Sequence, residues 1–132
     1  MTPRFGIDTS ILVRLATGDP EESFDQCLRA LTPLVQEQSA EIFASNQVIG
    51  EAYIALQHHY GVTKPEARFG LANVLRSGMV APLNGRSVFE ALASESGCGL
   101  LDRLIADDYH RAGLVSLTLD RKMAALAHTR LL

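Results

Sequence analysis

Two short apolar runs each end on an aspartate that leads into a helical pattern, and this arrangement limits the fold more than any other feature of the chain. Arg4-Phe5-Gly6-Ile7 runs into Asp8, and Leu114-Val115-Ser116-Leu117-Thr118-Leu119 runs into Asp120. Apolar runs of about four to eight residues bounded by turn or cap residues read as buried strands. Glu41-Ile42-Phe43-Ala44-Ser45 and the weaker Met79-Val80-Ala81 are of the same kind, with helical patterns between them all. Short strands alternating with helices imply an α/β fold in which a parallel sheet carries helices on both faces.

The helical segments announce their own ends. Asp19-Pro20-Glu21-Glu22 offers an N-cap acid, a proline at the first helical position and a glutamate at the third. Phe24, Cys27, Leu28 and Leu31 continue it at helical spacing, and Pro33 is expected to kink or divide the segment. Ser45 or Asn46 is expected to cap a helix that carries Glu51 and stops at Gly61. Thr63-Lys64-Pro65-Glu66 is a second capping signature, its helix closed by Gly78. Ser87 opens a short helix to Ser96, Gly97-Cys98-Gly99 interrupts, and helix resumes from Leu100 to Ala112. A last helix covers Arg121 to His128, and Arg130-Leu131-Leu132 can add an edge strand.

With 132 residues, 47% of them hydrophobic, the chain is expected to form one domain, 1–132, able to fold without disulfides or structural metal. Cys27 and Cys98 therefore read as reduced, small hydrophobes. Met1-Thr2-Pro3-Arg4 enters a strand with no apolar leader, and no later stretch approaches the roughly 18 apolar residues of a membrane span, so the expectation is a cytoplasmic protein with no membrane role. Net charge is −3, from 15 acids and 12 bases, which weighs against non-specific nucleic-acid binding by a basic surface. It leaves room for an enzyme acting on a polyanion, because a bound cation reverses the field of an acidic site.

Ligand sites of open α/β sheets form at the carboxyl ends of the strands. Asp8 and Asp120 both lie there, and placing their strands side by side would bring the carboxylates together at one edge. Each alone also reads as a helix cap. Glu51 shares a helical stripe with Val48, Ala52 and Ala55, so it is expected to point inward. Asp102 shares one with Ile105, Ala106 and Tyr109, although a first-turn acid also stabilises a helix N-terminus. Four acids displaced in the same sense suggest one site. Clustered carboxylates repel one another unless a cation is present, and hard oxygen donors suit Mg²⁺ or Mn²⁺. Such an ion activates water and neutralises charge on a phosphoryl transition state, which points to phosphodiester hydrolysis.

These residues resemble the PIN-domain family, in particular the VapC toxins of bacterial toxin-antitoxin pairs. Asp8-Thr9-Ser10-Ile11-Leu12-Val13-Arg14-Leu15 with Gly18-Asp19 is similar to the family's opening motif, and Val48-Ile49-Gly50-Glu51-Ala52 with His59-Tyr60-Gly61 to its second. Asp102-Arg103-Leu104-Ile105-Ala106 resembles the third, and Thr118-Leu119-Asp120-Arg121-Lys122 the fourth. Ser10 stands where the family commonly has Asn, and Gly99-Leu100-Leu101 replaces a more polar approach to the third acid. The resemblance implies a three-layer α/β/α sandwich with a parallel four- or five-stranded sheet. It also implies a Mg²⁺- or Mn²⁺-dependent endoribonuclease, often a homodimer, restrained by a cognate antitoxin. On that basis Asp8, Asp102 and Asp120 would hold the metal and its waters, and Glu51 would be a ligand or accept the attacking water's proton. Thr9, Ser10 and Thr118 would support them, and Arg14, Arg103 and Arg121 are either phosphate contacts or solvated surface residues. The alternatives are a PIN nuclease of RNA processing outside a toxin pair and an inactive PIN domain that binds RNA or protein.

Other chemistries find no support. His58, His59, His110 and His128 show no zinc spacing, and GxSxG, P-loop and GxGxxG motifs are lacking.

Overall fold

In the computed structural model, which describes residues 2–132, five strands and seven helices alternate along the chain. β1 (Arg4–Gly6), β2 (Glu41–Ala44) and β3 (Ala81–Pro82) form a parallel sheet in that order. β1 pairs with β2 from Arg4 opposite Glu41 to Gly6 opposite Phe43, and β2 pairs with β3 at Phe43 and Ala44. β4 (Ser116–Thr118) and β5 (Thr129–Leu131) form a second parallel pair. The α/β class and the parallel pairing agree with the sequence. The sheet is smaller than the expected four or five strands but consistent with it: three strands are paired in one parallel sheet and two in another.

α1 (Thr9–Thr17) begins on Asp8 and ends on Gly18, whose positive φ of 67° suits a residue without Cβ. α3 (Asn46–Tyr60) is capped by Ser45, whose hydroxyl accepts from the Val48 amide, and stops on Gly61 in the same left-handed conformation. α4 (Lys64–Arg76) opens with the full capping box, Thr63 and Glu66 each satisfying the other's backbone amide.

α2 (Glu21–Gln36) corrects two expectations. Pro20, not Asp19, occupies the cap position, because the Pro20 carbonyl accepts the first helical amide, that of Phe24, at 3.0 Å, while the Asp19 carbonyl accepts from the Thr17 hydroxyl. Pro33 does not divide the helix, because it lies in the last turn, where little of the hydrogen-bond ladder remains to be broken. α5 (Ser87–Ala93) starts after Arg86, so Ser87 lies inside the helix and does not cap it. α6 (Leu100–Arg111) follows Gly99, and α7 is shorter than expected, Arg121–Ala124.

The main core gathers Leu12, Ile42, Ile49, Leu71, Val80, Val88 and Leu100, all nearly inaccessible, from both strands and helices. α3 packs against α1, α4 and α6, and α5 closes against α4 and α6. A smaller cluster of Cys98, Ala106 and Met123 fastens α7 to α6. Cys27 and Cys98 are both free thiols, and among the described residues no helix is long and apolar enough to cross a membrane.

The α4 capping box lies away from the acids singled out above. Thr63→Ala should lower stability by about 1 kcal/mol, read as an earlier midpoint in urea unfolding; an unchanged midpoint would show that the box contributes nothing in this context.

Candidate functional site

β1 and β4, in the two sheets, each lead into an aspartate that caps the following helix. Asp8, directly after Ile7, turns back to cap α1: its Oδ1 accepts from the Ser10 hydroxyl at 2.6 Å and from the Ile11 amide at 3.3 Å. These donors, the Ser10 hydroxyl foremost, hold the Asp8 carboxyl below its ordinary pKa. Asp120 repeats the arrangement on α7, accepting from the Met123 amide at 3.0 Å, while the Thr118 hydroxyl accepts from the Asp120 amide at 3.0 Å.

Glu51 stands on α3 and is braced from α1. The Thr9 hydroxyl donates to its Oε2 at 2.7 Å, and Gln47 Nε2 donates to Oε1 at 3.3 Å. Both hydrogen bonds, Thr9 first, lower its pKa. Thr9 thus ties Glu51 to the residue beside Asp8, and the carboxylates of α1 and α3 stay ionised as neighbours of one α1–α3 contact. The inward orientation expected of Glu51 is not observed. The buried stripe of α3 is Ile49, Ala52, Tyr53 and Leu56, one step round the helix, and Glu51 is exposed at its margin.

Asp102 lies in the first turn of α6, half-buried. The face of α6 that is buried carries Leu100, Leu104 and Ala106, while Ile105 and Tyr109, expected to lie inside, are exposed. Among the described residues no three His, Cys, Asp or Glu side chains converge as a metal group would require. Asp8 and Glu51 come together through Thr9; Asp120 stands on the second sheet and Asp102 on α6.

A groove of about 620 Å³ runs between α3 and α6. Ile54, Leu101 and Ile105 make its apolar walls, and Gln47, Glu51 and Asp108 its polar margin. The arginines near the motifs are mostly engaged inside the chain. Arg14 donates to the Tyr60 hydroxyl at 3.3 Å, and Arg103 holds the carbonyls of Ser96, at 2.7 Å, and Cys98, at 3.3 Å; Arg121 is exposed.

One polar constellation escaped the sequence reading. Asp107 Oδ2 accepts from Asn46 Nδ2 and from Asn84 Nδ2, each at 2.9 Å, and Arg111 Nε lies 3.8 Å away. Asn84 also donates to Asp108 Oδ1 at 2.7 Å. Burial pushes the Asp107 pKa up, but Asn84, Ser87, Asn46 and Arg111 together outweigh it and the net shift is downward. The available signal was an asparagine two positions after the end of each of two strands, Asn46 and Asn84, with paired acids Asp107-Asp108 in a later helix.

These features define an α/β protein whose acids stand at strand ends and helix starts, braced by hydroxyl groups. The PIN-domain family model matches residues 6–129, nearly the whole chain, and the chain belongs to the PIN-domain family. No curated protein matches it. PIN domains are generally nucleases, commonly dependent on divalent metal.

A carboxyl with a lowered native pKa adds stability that is full above its unfolded pKa and is lost as pH falls through the native value. Asn84→Ala removes a donor to Asp107 and should cost about 1–2 kcal/mol near neutral pH. The difference from wild type should shrink as pH falls through the native pKa of Asp107. Urea unfolding across that pH range checks this, and a pH-independent difference would assign the effect to packing.

Proposed function

We propose that this PIN domain is an endoribonuclease of the VapC toxin type, cutting RNA phosphodiester bonds with the help of Mg²⁺ or Mn²⁺. The observation that carries the reading is the Thr9 hydroxyl bond to Glu51 at 2.7 Å, which joins the α3 acid to the start of α1 beside Asp8. The donors fit a hard divalent cation. Magnesium commonly takes one or two carboxylates and keeps its waters, and Asp8 and Glu51 are exposed and ionised oxygen donors. Asp8 and Glu51 would hold the ion, with Asp102 and Asp120 completing its surroundings. When bound, the metal supplies charge neutralisation at the phosphoryl group and a more acidic water.

The rest is done by the chain's own side chains. Glu51 accepts the proton of the attacking water, and the Thr9 hydroxyl keeps its carboxylate oriented and unprotonated for that task. Ser10 does the same for Asp8, and Thr118 fixes the backbone of the turn that presents Asp120. Arg121, exposed beside Asp120, is free to meet a substrate phosphate. On this reading the partners are RNA, a cognate antitoxin that covers the acidic site with a basic side chain, and a second copy of the chain in a homodimer. A second reading, a PIN domain that binds RNA without cutting it, draws on the separation of β1 from β4 and the dispersed acids.

Purified protein incubated with total RNA and Mg²⁺, Mn²⁺ or EDTA tests the choice. Discrete products are expected with metal only, lost in Asp8→Asn and reduced about 100-fold or more in Glu51→Gln. RNA binding without cleavage in either metal would establish the second reading instead.

A further inference from the structure

Resting on the nuclease reading, we infer that Asn46 is a positioning residue: its amide clasps α3 to α6 and sets the register in which Glu51 and Asp102 stand across that helix pair. Asn46 is the first residue of α3 and only 4% exposed. Its Nδ2 makes two bonds to α6, to the Leu104 carbonyl at 3.1 Å and to Asp107 Oδ2 at 2.9 Å. One turn along α3, Gly50 faces Leu101: a Cβ there would lie 2.7 Å from Leu101 Cδ2 and 3.6 Å from Leu104 Cδ1. Moving forward on α3 from Asn46 to Gly50 thus means moving backward on α6 from Asp107 to Leu101, so the helices run antiparallel. Glu51 follows Gly50 and Asp102 follows Leu101. Each acid is five residues from the clasp, about 7.5 Å along its own helix, and the two stand at the same level.

The clasp ties the two helices together at one register. Both amide hydrogens of Asn46 are spent on α6, while among the described residues its Oδ1 is buried with no partner. Replacing Asn46 alone by an apolar side chain would leave the Asp107 carboxylate short of a donor. Buried polar groups of this kind are best attested as devices that select one register over others. Asp107 anchors the far side, because Asn84 and Arg111 fix it from the β3–α5 loop and from its own helix. Without the clasp, α3 and α6 keep their apolar contact at Gly50 but lose the bond that forbids sliding.

The test compares wild type, Asn46→Leu, Asn46→Asp and the exchange Asn46→Asp with Asp107→Asn. Residual dipolar couplings of backbone amides report the α3–α6 geometry without metal, calorimetry reports Mn²⁺ affinity, and RNA cleavage gives kcat and KM. Asn46→Leu, which removes a donor to Asp107 as Asn84→Ala does, should lower the urea midpoint about as much as Asn84→Ala, yet unlike it change the α3–α6 couplings and weaken Mn²⁺ binding about tenfold. It should lower kcat by up to about 100-fold with KM little changed, as a misplacement of about 1 Å does. Asn46→Asp, which sets carboxylate against carboxylate, should be worse, and the exchange, which restores the donor–acceptor pair with position 107 but not the bond to the Leu104 carbonyl, should recover part of the loss. Unchanged couplings overturn the inference, as do changed couplings with Mn²⁺ affinity and kcat intact, or an exchange no better than Asn46→Asp. If wild type neither binds Mn²⁺ nor cuts RNA while the couplings respond to Asn46→Leu, the nuclease reading falls and the clasp stands as the helix-register device alone.

Discussion

Helix α3 touches α1, α4 and α6 at once, and satisfying three neighbours with one helix leaves little freedom in how it is turned. Ile49, Ala52, Tyr53 and Leu56 take the buried side, and Gly50 gives up its side chain so that α6 can come close. Burying such a stripe is worth several kcal/mol at roughly 25 cal/mol per Å² of apolar area, far more than any single polar contact on the helix. The orientation of α3 is therefore decided by packing, and Glu51 is placed by what remains. It emerges at the edge of the α1 contact, where Thr9 is at hand.

The carboxylates at the strand ends hold two positions in one. Asp8 and Asp120 each supply a helix with its missing acceptor at the carboxyl end of a strand. Capping a helix and standing at a strand end are compatible roles for one carboxylate. Capping fixes the side-chain torsions, so less ordering is left to be done when a ligand arrives.

What could be read from the chain divides along physical lines. Helix ends were legible wherever a side chain closes onto its own backbone, as at Ser45 and Thr63, or where a glycine must turn left-handed, as at Gly18 and Gly61. Asp19 stands one residue too early, because the helical ladder begins at the Pro20 carbonyl and the Asp19 backbone closes on Thr17. Strand existence was legible from apolar runs, but which strand pairs with which depends on long-range closure, and the division into three plus two strands left no local mark. Glu51 and Asp102 were found as oddities of pattern, but the phase of each stripe was missed, because 3.6 residues per turn lets neighbouring stripes look alike over two turns. The Asn46, Asn84 and Asp107 network was invisible for a plainer reason: its members lie on three segments and meet only in space.

The second strand pair is attached differently from the rest of the molecule. β4, α7 and β5 reach the body through the small Cys98, Ala106 and Met123 cluster and through the stacked rings of His110 and His128, 4.0 Å apart. Leu117 and Leu119 face solvent, Leu119 with 79% of its surface exposed. Few apolar contacts lower the free energy of local opening, so the amides of this unit are expected to exchange through openings smaller than global unfolding. Asp120 belongs to that unit and Asp8 to the main body. How the two acids stand relative to each other therefore follows the attachment of a peripheral strand pair.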